Sequence, residues 1–260
     1  MDMDAAYSNA DHVPGSAGYP PRWSAAAEAF RKGLGSRAEL DLAYGGHARE
    51  RFDLFHPEGA PQGLVVFVHG GYWKAFDKST WSHLAAGPLA RGWAVAMPSY
   101  TLCPEVRIAD ITRQIAAAVP AMAARVEGPI RLTGHSAGGH LVARMCAPGM
   151  LPGPVAARVA RVVPISPVAD LAPLMQTAMN EVLQIDPQEA EAESPIHQPA
   201  PQVPVTVWVG GAELPAFLDQ AERLATCWGV EWRAPRGQHH FNVIEPLAEP
   251  DSPLTQALLT

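Results

Sequence analysis

Short apolar runs alternate along the chain with segments whose apolar residues recur at helical spacing. The apolar runs are rich in β-branched residues, as expected for strands covered on both faces, and span 64–68, 93–97, 130–133, 159–165 and 203–209. The helical patterns span 81–91, 108–126, 137–146 and 215–227. This alternation predicts a mostly parallel α/β sheet with helices on both faces and right-handed crossovers.

The segments outside this alternation are more polar. Segments 39–44 and 51–56 alternate apolar and polar residues around a Gly-Gly pair, which predicts an antiparallel hairpin with one solvated face. Residues 1–22 are rich in Pro and Gly and are predicted to form an irregular arm, followed by a helix over 25–32 capped by Ser24. No linker divides the chain, so we expect a single domain over 1–260 without a large lid.

Composition and charge narrow the classes of function. The chain has 260 residues, 48% of them hydrophobic, which is enough for a core without disulfides. Its formal net charge is −7, and no run of Lys or Arg exceeds two, which argues against nucleic-acid and membrane binding. We therefore expect a small-molecule substrate, and the sequence leaves a homodimer open. The acidic first residues lack the apolar stretch of a signal peptide, so we expect a cytoplasmic protein.

Cofactor motifs are missing from the sequence. Cys103, Cys146 and Cys227 form no Cys-x-x-Cys pair and are expected to be small buried hydrophobic residues. The histidines show no zinc-binding spacing, and no glycine-rich nucleotide-binding motif is present. We therefore expect neither a metal nor an organic cofactor.

The clearest chemical motif is a Gly-x-Ser-x-Gly sequence at 134–138, directly between a predicted strand and a predicted helix. In that setting the motif is typical of a nucleophile elbow, a tight strained turn that exposes a serine hydroxyl at the sheet edge. The alternative is a glycine-rich loop with no catalytic role. The strand–turn–helix context favours Ser136 as a nucleophile.

A second motif, His69-Gly70-Gly71-Tyr72-Trp73, follows the strand predicted over 64–68. Such a loop can direct backbone N–H groups at a developing oxyanion, so Gly71, Tyr72 and Ala137 are the candidate donors. His69 is expected to brace the loop. Tyr72 and Trp73 are candidates for an aromatic wall of the substrate pocket, the alternative being packing over the sheet edge.

A serine nucleophile requires a base and a carboxylate that orients the base. Two adjacent histidines follow the apolar-polar segment 230–234, which is predicted to be the last strand; we favour His240 as the base, with His239 as the alternative. Glu213 follows the strand predicted over 203–209 and is the favoured acid. Asp170 is its rival, and Asp219 is weaker because it falls inside a predicted helix.

Taken together, these residues resemble the α/β-hydrolase superfamily, and more narrowly the serine-dependent kynurenine formamidases (arylformamidases). The resemblance runs from about Tyr44 nearly to the C-terminus and includes the His-Gly-Gly-x-Trp loop and the Gly-His-Ser-Ala-Gly elbow. The acid of that family lies in an Asp-Ser-Pro-Glu-Phe segment, which reads Glu-Leu-Pro-Ala-Phe at 213–217. The family histidine precedes Phe, as His240 does, which supports His240 over His239.

The resemblance implies hydrolysis of N-formylkynurenine to kynurenine and formate by Ser136, His240 and Glu213 through an acyl-enzyme. The change from Asp to Glu at position 213 weakens the link to one particular substrate. A short-chain carboxylesterase is therefore an alternative, and a non-catalytic α/β-hydrolase scaffold is a more distant one. Comparing aryl formamides with aryl acetates separates the first two, and fluorophosphonate labelling of Ser136 excludes the third.

Overall fold

The computed structural model describes residues 2–260 and is built around one eight-stranded sheet with the strand order β1-β2-β4-β3-β5-β6-β7-β8. The strands are β1 Ala38–Ala43, β2 Arg51–Phe55, β3 Leu64–Val68, β4 Ala94–Pro98, β5 Ile130–His135, β6 Val159–Ile165, β7 Thr206–Trp208 and β8 Glu231–Arg233. The β1–β2 and β2–β4 pairs are antiparallel, and every other pair is parallel. The predicted α/β sheet and its leading hairpin are therefore confirmed.

Eleven α-helices pack around this sheet in residues 2–260. They are α1 Met3–Tyr7, α2 Asn9–His12, α3 Tyr19–Leu34, α4 Ala86–Ala90, α5 Ile108–Ala123, α6 Ala137–Arg144, α7 Gly153–Ala156, α8 Asn180–Leu183, α9 Pro187–Glu193, α10 Pro215–Trp228 and α11 Pro253–Leu259. The sheet has an apolar core on each face. Along β3, for example, Val66 packs into one core and Val65 and Phe67 pack into the other, which explains why this strand is apolar throughout.

The structure differs from the sequence prediction at the N-terminus. The segment predicted to be an irregular arm contains α1, α2, a 3₁₀ turn at Ser16–Gly18 and the start of α3. Helix α3 begins well before the predicted boundary because Pro20 and Pro21 lie in its first turn, where a missing N–H breaks no hydrogen bond. The helix predicted over 81–91 is instead a 3₁₀ turn at Ser82–Ala85 followed by the short α4.

The three cysteines are unpaired. Cys103 is buried and Cys146 is partly buried, and burial raises the pKa of each thiol to about 12. Cys227 is exposed, contrary to expectation, because it lies on the solvent side of α10. In the described part of the chain, residues 2–260, no helix combines the length and the apolar character needed to cross a bilayer.

Candidate active site

Ser136 lies in the turn that joins β5 to α6, with φ 57° and ψ −116°. This conformation is costly for a residue with a side chain and is typical of functional turns. The flanking glycines make it feasible, since a Cβ on Gly138 would overlap the Val68 carbonyl oxygen and one on Gly134 would overlap the Gly138 carbonyl. The Ser136 N–H donates to the Ile165 carbonyl at 2.8 Å, which ties the turn to the neighbouring strand β6.

His240 and Glu213 form a buried pair near this turn. His240 lies in the loop after β8, and its Nδ1 is 2.7 Å from Glu213 Oε2. The Glu213 side chain is fully buried, and the His240 side chain is 7% exposed. A carboxylate can only accept, so Nδ1 carries the proton and Nε2 keeps a free lone pair. The pair therefore presents Nε2 as a base.

The other oxygen of the Glu213 carboxylate also accepts hydrogen bonds. Its Oε1 accepts from the Gly210 N–H at 2.7 Å and from the Ser166 hydroxyl at 2.5 Å. Ser166 is itself in the left-handed region, with φ 47°, and is fully buried. Two donors thus hold the carboxylate in addition to the imidazole, and sequence reasoning gave no sign of Ser166.

The rival acid and base are engaged elsewhere. Asp170 accepts from Arg223 at 2.9 Å and from the Ala172 N–H at 3.0 Å. His239 accepts the Phe241 N–H at Nδ1 and therefore donates through Nε2 to the Tyr19 hydroxyl, at 3.1 Å. Asp219 is 63% exposed on α10. The geometry pairs Glu213 with His240 and none of the alternatives.

The loop after β3 passes directly beside Ser136. A Cβ on Gly70 would lie 2.8 Å from the His135 carbonyl oxygen, so only glycine permits this approach. The loop then turns through positive φ at Gly71, Tyr72 and Trp73, with values of 112°, 49° and 55°. Among residues 2–260, the N–H groups of Gly71, Tyr72 and Ala137 have no protein acceptor. They remain available to bind an oxyanion.

His69 and Trp73 lie beneath this loop. His69 stacks on Tyr100 with ring centroids 4.3 Å apart and hydrogen-bonds the Gly70 carbonyl at 2.8 Å through Nδ1. Burial lowers the pKa of His69 to about 4, so the ring is a neutral brace. Trp73 is 0% exposed and packs edge-to-face on His140. Trp73 therefore belongs to the core and not to the pocket wall, because the positive-φ turn directs it inward.

Ser136 and His240 line one cavity of about 770 Å³, together with Gly71 and Tyr72. Much of its wall is aromatic: the rings of Trp23 and Trp81 lie 4.7 Å apart, and Phe241 stacks on Trp23 at 5.9 Å. A large part of the remaining wall comes from the N-terminal arm, residues 2–20, which contributes Asp2, Asp4, Tyr7, Asn9, Asp11 and Pro20.

The N-terminal arm is fastened to the site by specific hydrogen bonds. Tyr72 donates its hydroxyl to the Tyr7 carbonyl at 2.8 Å, which links the arm to the loop after β3. The Tyr7 hydroxyl accepts from Gln220 at 2.9 Å, and its ring packs on Phe217, which in turn packs on His240. Tyr7 is the one Phe, Trp or Tyr residue in the first 18 positions, and this is the sequence signal that could have identified the contact.

The surroundings of His240 carry little competing charge. His135 lies against it with ring centroids 4.6 Å apart. Burial, followed by the neighbouring His240, lowers the pKa of His135 well below its ordinary value, so His135 stays neutral. Within residues 2–260, no three His, Cys, Asp or Glu side chains are grouped so that they could hold a metal ion.

The sequence of this chain is similar to those of known hydrolases. A model of the alpha/beta hydrolase family matches residues 65–259. Kynurenine formamidase from Danio rerio is 25% identical, covering 85% of this chain and 80% of its own. Kynurenine formamidase from Drosophila melanogaster is 29% identical, covering 82% of this chain and 78% of its own.

Solved structures extend the comparison. A Silicibacter sp. TM1040 protein described as a "putative thioesterase" is 58% identical, covers 100% of both chains and superposes with a TM-score of 0.98. An esterase from Pyrobaculum calidifontis, 22% identical, covers 91% of this chain and 90% of its own with a TM-score of 0.64, and shares the fold. The serine elbow, the sheet topology and the family match together show that this chain belongs to the alpha/beta hydrolase family and is a hydrolase.

Proposed function

We propose that this hydrolase cleaves an aryl formamide, N-formylkynurenine, to kynurenine and formate, a step of tryptophan breakdown in the cytoplasm. The observation that carries the reaction type is the strained Ser136 in the same cavity as the buried His240–Glu213 pair. The substrate is supported by the kynurenine formamidase relatives, which match most of the chain, and by the aromatic cavity wall.

Acylation uses the free lone pair of His240. Nε2 takes the Ser136 proton while Oγ forms a bond to the formyl carbon. The resulting oxyanion is held by the N–H groups of Gly71, Tyr72 and Ala137, each worth about 10²–10³ in rate. Glu213 stabilises the imidazolium through its bond to Nδ1. The C–N bond then breaks, and the leaving arylamine takes its proton from His240.

Deacylation repeats these roles with water as nucleophile. His240 removes a proton from water as the oxygen attacks the formyl ester, and the same three N–H groups hold the second oxyanion. The bond from carbon to Ser136 Oγ breaks, Oγ regains the proton from His240, and formate leaves. The enzyme returns to its starting state without a cofactor.

A formyl group has no side chain, so the substrate needs room only for its leaving group. The cavity offers that room beside Trp23, Trp81 and Phe241. An aromatic ring bound against these side chains would be stabilised by offset or edge-to-face packing. An anilide with a large aromatic leaving group therefore fits the shape and chemistry of this wall.

A short-chain ester or thioester hydrolase is the second candidate. It is favoured by the 58% identical Silicibacter protein described as a "putative thioesterase". Esters and thioesters pass through a tetrahedral intermediate of the same kind as formamides, so the same nucleophile, base and oxyanion donors would serve them. The two functions differ in the acyl and leaving groups, so a comparison of substrates separates them.

The experiment is a comparison of kcat/KM for N-formylkynurenine, p-nitrophenyl acetate and acetyl-coenzyme A with the purified protein. The expected result is a kcat/KM for the formamide well above both others. Ser136→Ala serves as the blank and should lower kcat by about 10⁴–10⁶. A variant with more than a tenth of wild-type turnover would exclude Ser136 as the nucleophile. Ester or thioester turnover without formamide turnover would reject the formamidase proposal and keep the serine mechanism.

A further inference from the structure

The cavity wall contains one lysine, Lys74, that forms no ion pair with another described residue. The chain has three lysines. Lys32 pairs with Glu28 at 2.6 Å, and Lys78 pairs with Asp41 at 2.6 Å and Asp53 at 2.9 Å. Lys74 is exposed, lines the cavity and forms no ion pair with residues 2–260. It is also the one Lys or Arg side chain in the part of the wall that the structure describes.

Lys74 is positioned by the same loop that supplies the oxyanion donors. Its N–H donates to the Gly71 carbonyl at 3.0 Å, which closes the turn carrying Gly71 and Tyr72. The lysine therefore follows the oxyanion donors by two residues along one tight turn. Lys74 therefore contributes a positive charge to the wall of the cavity that also contains Ser136.

A second, independent observation lies on the N-terminal arm. Asn9, the first residue of α2, is 6% exposed and is part of the cavity wall. Neither its amide nitrogen nor its amide oxygen has a hydrogen-bond partner in residues 2–260. Proteins pair nearly all buried amides, so an unpaired amide in a cavity wall is available to a bound ligand.

The charges of the arm specify the ligand further. Asp2, Asp4 and Asp11 line the same cavity as Lys74. The Asp2 carboxylate accepts from two N–H groups of α1. The Asp4 carboxylate accepts from the Ala178 N–H, and the Asp11 carboxylate accepts from the Ser8 hydroxyl. Each of the three carboxylates retains acceptor capacity. A cavity wall with both signs of charge suits a zwitterion better than a simple anion.

We propose that Lys74 and Asn9 are specificity-determining residues that bind the α-amino-acid end of the leaving group. Lys74 forms an ion pair with the carboxylate of the leaving group. The Asn9 amide supplies a hydrogen-bond donor and an acceptor to the polar groups of the same amino-acid end. The arm aspartates attract the ammonium group. This inference rests on the proposed function for the identity of the leaving group, an aryl ketone carrying an amino-acid side chain.

The test uses inhibition, so that it does not depend on formamide turnover. p-Nitrophenyl acetate is the reporter substrate, and the inhibitors are kynurenine and 2-aminoacetophenone, which lacks the amino-acid group. The measured quantity is the ratio of the two inhibition constants. Wild type should bind kynurenine more tightly, and Lys74→Gln should reduce that preference by about tenfold, the factor that corresponds to ~1.4 kcal/mol.

Two further variants sharpen the test. Asn9→Asp keeps the shape of the side chain but adds a negative charge beside the bound carboxylate, so it should also reduce the preference. Lys32→Gln removes a lysine of α3 that is outside the cavity wall, and it should leave the ratio unchanged. Urea unfolding of each variant establishes that it is folded.

The outcomes separate the two proposals. A preference for kynurenine that Lys74→Gln removes supports this inference, even if N-formylkynurenine is not hydrolysed and the formamidase proposal fails. Equal inhibition of the wild type by both compounds, or a preference that Lys74→Gln and Asn9→Asp leave intact, overturns the inference even if N-formylkynurenine is hydrolysed.

Discussion

Replacing Glu213 by glutamine tests whether the charge of this carboxylate, beyond its shape, is needed by His240. The carboxylate accepts from three donors: His240 Nδ1 at 2.7 Å, the Gly210 N–H at 2.7 Å and the Ser166 hydroxyl at 2.5 Å. A glutamine of the same length has one oxygen and one NH₂ group. It can therefore accept from His240 or from Gly210, but not from both.

Either orientation of the glutamine is unfavourable. If its NH₂ group faces His240, it donates to Nδ1 and moves the ring proton to Nε2, which can then no longer accept the proton of Ser136. If its oxygen faces His240, the NH₂ group meets the Gly210 N–H in a fully buried site. An unpaired buried donor costs about 1–3 kcal/mol of stability.

The expected loss in kcat is about 10⁴-fold, as for a triad in which the wrong tautomer is imposed, and it corresponds to ~5.4 kcal/mol of activation free energy. The assay is steady-state hydrolysis of p-nitrophenyl acetate by variants whose folding is checked by urea unfolding. The matched control is Asp170→Asn, the same chemical change at a carboxylate that pairs with Arg223. Its kcat should stay close to that of the wild type.

Two results would refute this reasoning. A folded Glu213→Gln variant with kcat within tenfold of the wild type would show that the charge is not required. A larger loss of kcat in Asp170→Asn than in Glu213→Gln would show that Asp170, and not Glu213, is the acid.

Further predictions concern stability. Gly138→Ala should unfold at markedly lower urea concentration than the wild type, because its Cβ would overlap the Val68 carbonyl oxygen. Gly33→Ala lies in α3 with no heavy atom within 4 Å of the added Cβ, so its free energy of unfolding should rise by about 0.5–1 kcal/mol; urea midpoints equal to that of the wild type would contradict both expectations. Stability should also decline as the pH falls from 6.5 toward 4, because burial lowers the pKa of both His69 and His140 from 6.5 to about 4. Between pH 6.5 and pH 4 these two histidines are protonated in the unfolded chain but remain neutral in the folded chain, so the free energy of unfolding has its full value only above pH 6.5. A urea midpoint that is the same at pH 7 and pH 5 would contradict this prediction.

Much of the fold could be predicted because burial on both faces leaves a plain signal in the sequence. The predicted strand over 64–68 coincides with β3, and the run over 159–165 coincides with β6. The elbow was equally visible, since its glycines are required by contacts with neighbouring backbone. Features that depend on one chain segment and its immediate neighbours are therefore accessible to sequence reasoning.

Features that depend on contacts between distant segments were not accessible. The arm was predicted to be irregular because it contains several Pro and Gly, yet its helices are held by partners such as Gln220 and Tyr72, which lie far along the chain. The placement of Trp73 depends on three successive positive φ angles, which reverse the direction of the loop. Neither partner choice nor that reversal can be read from composition or spacing.

The origin of the cavity wall has a consequence for how this protein could be modified. The family match begins at residue 65 and contains every group proposed for bond breaking, whereas Asn9, Tyr7 and Trp23 lie before it. The groups proposed for the reaction thus lie within the family match, whereas part of the proposed substrate-binding wall lies in a separate N-terminal stretch of the chain. Exchanging the first two dozen residues between relatives should alter the preference for a leaving group and preserve the chemistry, a route to new substrates that requires no change to the serine, histidine or carboxylate.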